Sequence, residues 1–399
     1  MGFCKNVHNS EKSAKRSDQK DDLYAGGQLS KIKFLVTGGA GFIGSEIVRQ
    51  LLDAGYYVRV ADDLSKKDIQ VDRRAEFVRV DLTDYQKTQK VFESVDIVIA
   101  AAAKIGGIGY FHKYPATILS ENNKIYSSTF EAAVKNGIKR FVYISSSMVF
   151  ESASTFPSKE EDVRVIPPPI TSYGFAKLSG EWYCHAFWDE YKLPFSICRP
   201  FNAYGINEFP EREIGYAHVI PDLVRKILNG QYPLELLGDG NQTRCFTHVS
   251  DVAGGITTVA LNPKAKNQDF NIGQDSEIKM IDLAKKIWEI MEVKKPFKAK
   301  FIPGFKYDIK RRVPAVSKAK RLLGWEPKVK LKEGLKEVIN WLKEQKLQGK
   351  IENYPLPLSE QAESDCRFQY FFQPWVILFT ASIPIKRRSI LSTRPGCLF

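Results

Sequence analysis

The stretch from Lys31 to Ala54 restricts the fold of this chain more than any other. Its β-branched run Ile32 to Thr37 reads as a buried strand and the amphipathic segment Phe42 to Ala54 as a helix stopped by Gly55. Thr37-Gly38-Gly39-Ala40-Gly41-Phe42-Ile43-Gly44-Ser45 joins the two. Glycines at three-residue intervals in that position meet three separate demands. Gly38 permits the tight turn, Gly41 lets the backbone come close to a phosphate, and Gly44 lets the helix close down on the strand. The spacing differs from the commoner Gly-x-Gly-x-x-Gly, but the outcome is the same: a helix N-terminus whose amides and dipole can receive a pyrophosphate.

The alternation continues. Tyr57 to Ala61, Phe77 to Val80, Asp96 to Ala100 and Phe141 to Ser145 read as further short strands, and a helix ending at Asn136 is stopped by Gly137. This pattern predicts an α/β fold with a doubly wound parallel sheet of Rossmann type. The second half breaks the rhythm. Val219 to Leu228, Ile278 to Met291 and Leu331 to Leu342 read as helices between short, isolated strands, which predicts a smaller mixed α/β C-terminal domain. The expected divisions are a disordered extension over 1–30, a dinucleotide-binding domain over 31–201 with a returning segment near 245–262, a substrate-binding domain over 202–345, and an irregular tail over 346–399.

Composition removes other classes. The 399 residues carry 43% hydrophobic and 26% charged side chains, which excludes a small stapled scaffold, a collagen or a disordered chain. The formal charge of +13 is spread without a long basic run and without a nucleic-acid-binding module, so an acidic small ligand is expected and nucleic acid is not. The six cysteines form no Cys-x-x-Cys and the five histidines no His-Glu-x-x-His, so no metal site is expected and a reducing, cytoplasmic compartment is. Phe371 to Ile385 is apolar over about fifteen residues, short of the ~20 a spanning helix needs, and Gln373, Pro374 and Pro384 interrupt it, so no membrane span is expected.

Four places along the chain carry candidate chemistry. Asp62 closes the second strand eighteen residues after Gly44, where a carboxylate accepts ribose hydroxyls and repels a 2′-phosphate; this favours NAD over NADP, with Asp63 as its competitor. Asp81, after the third strand, is placed either to meet adenine or to cap a turn. Tyr173 and Lys177 are four apart on a helix and share a face. A phenol with a pKa near ~10 is a poor base at neutrality unless an ammonium beside it favours the phenolate. Ser145-Ser146-Ser147 comes directly after the fifth strand, at the carboxyl edge where such sheets bind ligands, and one hydroxyl there can hold the substrate oxygen.

With these pieces in order, residues 31–342 resemble the extended short-chain dehydrogenase/reductase family, most closely its NAD-dependent nucleotide-sugar epimerases and dehydratases. The resemblance extends through Arg199-Pro-Phe-Asn202-Ala-Tyr204-Gly205, Gly238-Asp-Gly-Asn-Gln-Thr-Arg244 to Asp251, Phe270-Asn271-Ile-Gly273 and Ser317 to Trp325. It implies Ser146 as the hydroxyl partner, Tyr173 as acid/base and Lys177 as the residue that binds the nicotinamide ribose and tunes Tyr173. It also implies NAD contacts at Gly38, Gly41, Phe42, Ile43, Gly44, Asp62, Asp81, Leu82 and Asn122, and it assigns a nucleotide-sugar diphosphate to Asn202, Arg244 and Arg312. A homodimer is implied as well.

The subfamily turns on the residues after Ser146. Dehydratases of this family carry an acid there, and the GDP-mannose 3,5-epimerases, whose Gly-Gly-Met-Gly-Phe resembles Gly106-Gly-Ile-Gly-Tyr110, use a cysteine where Met148 stands. Methionine cannot move a proton at carbon. The expected activity is therefore 4-epimerisation of a UDP- or other NDP-hexose, as in UDP-glucose 4-epimerase-like proteins. The alternatives are a dehydratase, a 3,5-epimerase, a ketoreductase, or a dinucleotide sensor without turnover. The chain departs from the family pattern at Ala100, Phe305 and Ala315, and Arg311 competes with Arg312 as the diphosphate ligand.

Overall fold

The computed structural model describes residues 32–66, 70–211 and 216–351; the expectations for 1–30 and for the aromatic segment 371–385 lie outside them. The first half runs β1 (Lys33–Thr37), α1 (Phe42–Asp53), β2 (Tyr57–Asp62), β3 (Glu76–Arg79), α2 (Tyr85–Val91), β4 (Ile97–Ala100), α3 (Ile108–Lys113), α4 (Pro115–Lys135), β5 (Arg140–Ile144), α5 (Ser172–Tyr191) and β6 (Phe195–Pro200). The second half adds β7 (Ala203–Tyr204), α6 (Val219–Leu228), β8 (Leu234–Leu237), β9 (Thr243–Cys245), β10 (Thr247–His248), α7 (Val249–Leu261), β11 (Gln268–Ile272), β12 (Glu277–Lys279), α8 (Met280–Ile290), β13 (Ala299–Ile302), β14 (Arg311–Arg312), α9 (Ser317–Leu323) and α10 (Leu331–Leu347).

Seven strands form one sheet in the order β11-β6-β5-β4-β1-β2-β3, each pair parallel. A parallel sheet covered on both faces needs strands apolar on both faces, and β4 (IVIA) and β5 (RFVYI) are buried at every position. On one face Ile47, Val48 and Leu51 of α1 pack with Val252, Ile256 and Val259 of α7; on the other lie Tyr126 and Phe130 of α4 with Cys184 of α5. Each such side chain contributes roughly 1.5–3 kcal/mol on full burial. The chain reverses strand order between β1 and β4, and ligands of doubly wound sheets bind in the crevice at that switch point.

A third hydrophobic cluster, built on Leu223 and Val224 of α6, Leu283 and Ile287 of α8, and Leu335 and Ile339 of α10, fills the second half. All the described residues belong to one compact unit. The return to the sheet goes further than the segment near 245–262: α7 covers α1, and β11 then pairs with β6. Two other boundaries differ from expectation. Glu277–Lys279 is drawn into an antiparallel pairing with β9, so the helix expected from Ile278 begins at Met280. At the far end α10 passes Gln345 to Leu347, and Ile351 is buried in the third cluster. Among the described residues no helix is long and apolar enough to cross a membrane.

Candidate active site

The glycine turn is built as its spacing demands. Gly38 sits at φ +65°, and a Cβ there would meet Ala102 Cα and N at 2.7 Å. Gly41 caps α1, and a Cβ on Gly44 would lie 2.1 Å from the Gly38 carbonyl oxygen. The carboxylate of Asp62 joins this turn: Oδ2 accepts from Ala40 N at 3.1 Å and Oδ1 from Leu64 N at 2.9 Å. Burial pushes its pKa up, and those two amides pull it back. Asp63 is exposed and accepts from Ser65 N, so of the two neighbours Asp62 is the one set against the turn. Arg59 points away, bound to Glu76 and to the carbonyls of Val91 and Glu93.

Three residues expected to meet the cofactor also have partners within the protein. Asn122 is fully buried; Oδ1 accepts from Lys104 N at 2.9 Å, and Nδ2 donates to the Lys104 and Ile118 carbonyls. Its amide pins the loop after β4, which borders the glycine turn through Ala102. Asp81 accepts from Thr83 N and Oγ1 as a turn residue. Leu82 is buried in the core, with its carbonyl accepting from Ser128 and Thr88.

The catalytic candidates converge at the carboxyl end of β5. Thr171 caps α5 by accepting from Gly174 N, and Glu151 holds Thr171 in turn, accepting from its N and Oγ1 at 2.9 Å each. This fixes the first turn of α5, which carries Tyr173 and, one turn on, Lys177. Tyr173 is buried, and burial pushes its phenol up to about 12, opposed by a hydrogen bond with the Ser146 side chain and by the Arg312 charge. Lys177 is also buried and is pushed down to about 7; its Nζ donates to the Ile144 carbonyl at 2.7 Å. Ser146, Tyr173 and Lys177 are thus brought together from two elements.

Asn202, Arg244 and Arg312 also meet. Arg244 on β9 and Arg312 on β14 are register partners, and Arg312 Nη1 lies 3.5 Å from Asn202 Oδ1. Arg244 is held by Asp308 at 2.9 Å. Arg311, the alternative, points outward and pairs with Glu277 at 2.7 Å. The structure takes Arg312 further than expected: it donates to Ser147 Oγ and to the Met148 sulfur, next to Ser146. Burial and the neighbouring Arg244 lower its pKa to about 9.

Sequence reasoning missed three partners of this site. Phe111 of α3 stacks on Tyr173 with ring centroids 4.7 Å apart and planes at 14°. His112 stacks on Phe305 and Tyr307 from the second half, which gives the departure at Phe305 a local use. Glu181 and Arg199 form a buried ion pair at 2.7 Å behind Lys177. The spacing of Glu181, four residues after Lys177, was the available signal for the last of these.

Comparison with known proteins agrees with this geometry. Residues 34–273 match the sequence profile described as the NAD dependent epimerase/dehydratase family. The chain belongs to that family. It is 32% identical over 320 residues to GDP-mannose 3,5-epimerase of Arabidopsis thaliana, covering 79% of this chain and 83% of the relative. A putative UDP-glucose 4-epimerase of Methanocaldococcus jannaschii is 33% identical, covering 77% and 98%. Among solved structures, UDP-glucose 4-epimerase of Thermotoga maritima with UDP-glucose superposes with a TM-score of 0.71 at 32% identity, covering 79% of this chain and 99% of that one.

As in the family, the cofactor is NAD, and the residues present fit it. The turn has no room for Cβ atoms at Gly38 and Gly44, and a half-buried carboxylate stands beside it. Replacing Asp62 by alanine is expected to weaken NAD binding about tenfold, ~1.4 kcal/mol, and NADP binding less, read by calorimetry. Some loss for both cofactors comes from freeing Ala40 N; an equal loss for both would remove Asp62 as the ribose ligand.

Proposed function

We propose that this protein is a nucleotide-sugar 4-epimerase that acts on a UDP- or other NDP-hexose. The observation that carries the reading is the meeting of Ser146 and Tyr173, with Lys177 one turn along α5, beside Met148, which offers no proton-transfer group and whose sulfur is occupied by Arg312. NAD, held at the glycine turn and by Asp62, would supply the reversible hydride acceptor that the reaction needs. Tyr173 takes the proton from the C4 hydroxyl and later gives it back, and Ser146 hydrogen-bonds the same oxygen. The Lys177 ammonium favours the phenolate. Asn202, Arg244 and Arg312 hold the diphosphate with an amide and two planar guanidinium groups. Phe111 and the buried surroundings of Tyr173 keep water from the reacting oxygen.

Relatives in this family carry several reaction names, and the proton balance separates them. A 4-epimerase moves hydride within one sugar, so turnover in deuterated water is expected to give the C4 epimer without ring deuterium, read by NMR and mass of products from a panel of UDP-, GDP- and dTDP-sugars. A dehydratase or 3,5-epimerase breaks a carbon–hydrogen bond beside the ketone as a proton and leaves label at C5 or C3. Label there, or a product lighter by one water, would overturn the assignment. It would also demand another base, such as Lys104 or Glu208, the latter paired with His218. A homodimer is supported by the exposed Phe175 and Trp182 on α5, and a reducing, cytoplasmic setting by the buried thiols of Cys184, Cys198 and Cys245.

A further inference from the structure

Behind Lys177 lies a chain of charges, buried at Glu181 and Arg199 and half-buried beyond, that the mechanism above leaves unused. Glu181 comes one turn of α5 after Lys177, the same step that separates Lys177 from Tyr173. It is 3% exposed, and both its oxygens are engaged. Oε1 accepts from Ser145 Oγ at 2.5 Å and from Arg199 Nε at 2.8 Å, and Oε2 from Arg199 Nη2 at 2.7 Å. Arg199 is itself buried on β6 and pairs with Asp269 of β11 at 2.9 Å; Asp269 pairs with Lys318 of α9 at 2.6 Å. Lys177 is tied to the same strand end as Glu181, since its acceptor, the Ile144 carbonyl, adjoins Ser145.

Lys177, Arg199 and Lys318 are cationic and Glu181 and Asp269 anionic, and the buried carboxyl of Glu160, close enough to feel Lys318 and Asp269, is pushed by burial toward its neutral form. The cation of the three that lies one turn from Tyr173, where a phenolate must form, is Lys177. The other titratable groups around it are neutral: the Tyr143 ring of β5 lies 5.4 Å from Nζ, Tyr126 of α4 packs edge-on against Tyr143, and Cys184 lies further along α5. Burial pushes all three of these groups up, away from ionisation. Burial also drives Lys177 toward its neutral form, and the Glu181 charge opposes that.

We infer that Glu181 is a positioning residue of this active site: held by Arg199 and Ser145, it keeps the Lys177 ammonium charged and so governs how readily Tyr173 gives up its proton. The inference rests on the proposed roles of Lys177 and Tyr173 and goes beyond them. A purely structural reading of Glu181 is that its pair with Arg199 only fastens α5 to β6. The two readings differ in what removing the charge does to Lys177.

The test is an NMR titration of the Lys177 side chain in the full-length protein with NAD bound, using ¹³C- or ¹⁵N-labelled lysine assigned with Lys177→Met. In Glu181→Gln the ratio of protonated to neutral Lys177 at a given pH is expected to fall about tenfold or more. Glu181→Asp, which keeps the charge while loosening the packing, should titrate near the unsubstituted protein. Asp269→Asn also adds one net positive charge to the cluster, from further away. It should shift Lys177 in the same direction by less, and it decides the matter if Glu181→Gln does not fold. In turnover, Glu181→Gln should lower kcat at neutral pH with little change in KM and move the pH at which turnover levels off to a lower value. An unchanged Lys177 titration in Glu181→Gln or, where that variant is unfolded, in Asp269→Asn would overturn the inference. So would an equal shift in Glu181→Asp. Because the titration needs no substrate, it stands even if none of the sugar nucleotides is turned over.

Discussion

Tyr173→Phe is expected to cut turnover by ~10²- to 10⁴-fold while leaving the protein folded and its sugar-nucleotide affinity largely intact. The substitution keeps the ring, so the stack on Phe111 and the packing of the first turn of α5 survive. What it removes is the hydroxyl that meets Ser146 and would carry the C4 proton. Asn202, Arg244 and Arg312, assigned to the diphosphate, are untouched, so KM should move far less than kcat. The pH profile of the unsubstituted protein belongs to the same argument. With the phenol pushed up to about 12 by burial and Lys177 pushed down to about 7, the lysine gives up its proton first, so a phenolate beside an ammonium is a minor form of the pair, and turnover should rise with pH up to about 7 and then level off. Near-normal turnover by the phenylalanine variant would sink the proposed mechanism.

Gly44→Ala should damage both stability and cofactor binding, because the added methyl has nowhere to go. It would lie 2.1 Å from the Gly38 carbonyl oxygen and 2.9 Å from Gly39 Cα, both backbone atoms of the turn. Relief requires α1 to move off β1, which breaks the fit of Ile47 and Leu51 into the core beneath. Overpacking of this kind costs about 3 kcal/mol, at the upper end of its usual range. Since the turn amides move with the helix, NAD affinity should fall at least tenfold. Gly55→Ala is the matched control. Gly55 has φ +84° but nothing within 4 Å of a notional Cβ, so only backbone strain of ~1–2 kcal/mol is expected, with NAD affinity unchanged. Thermal unfolding and NAD titration of the two variants separate crowding from conformation. Equal NAD affinity in both would show that the closeness of α1 to the turn does not matter for the cofactor.

Features written within a few residues of chain were legible before any fold was known. A β-branched run, three glycines at three-residue spacing and a helical stripe produce the β1-turn-α1 unit, because turn sterics and side-chain periodicity are local. The same is true of Tyr173 and Lys177, whose four-residue spacing on a helix places them on one face wherever the helix goes. Which members of a local set enter the site was settled by packing instead. Arg311 and Arg312 are neighbours on an extended strand, so their side chains leave on opposite sides, and the pairing of β14 with β9 sends Arg312 inward and Arg311 to Glu277. Arg312 then reaches Met148 across 164 residues of sequence, and Asn202 across 110. Asn122 spends its amide on the Lys104 backbone, and Phe111 arrives on Tyr173 from α3, a short helix whose neighbouring glycines gave no sign of its destination. These contacts depend on how helices pack against a finished sheet, and that packing is a property of the whole chain: no short segment contains the surface it will be pressed against.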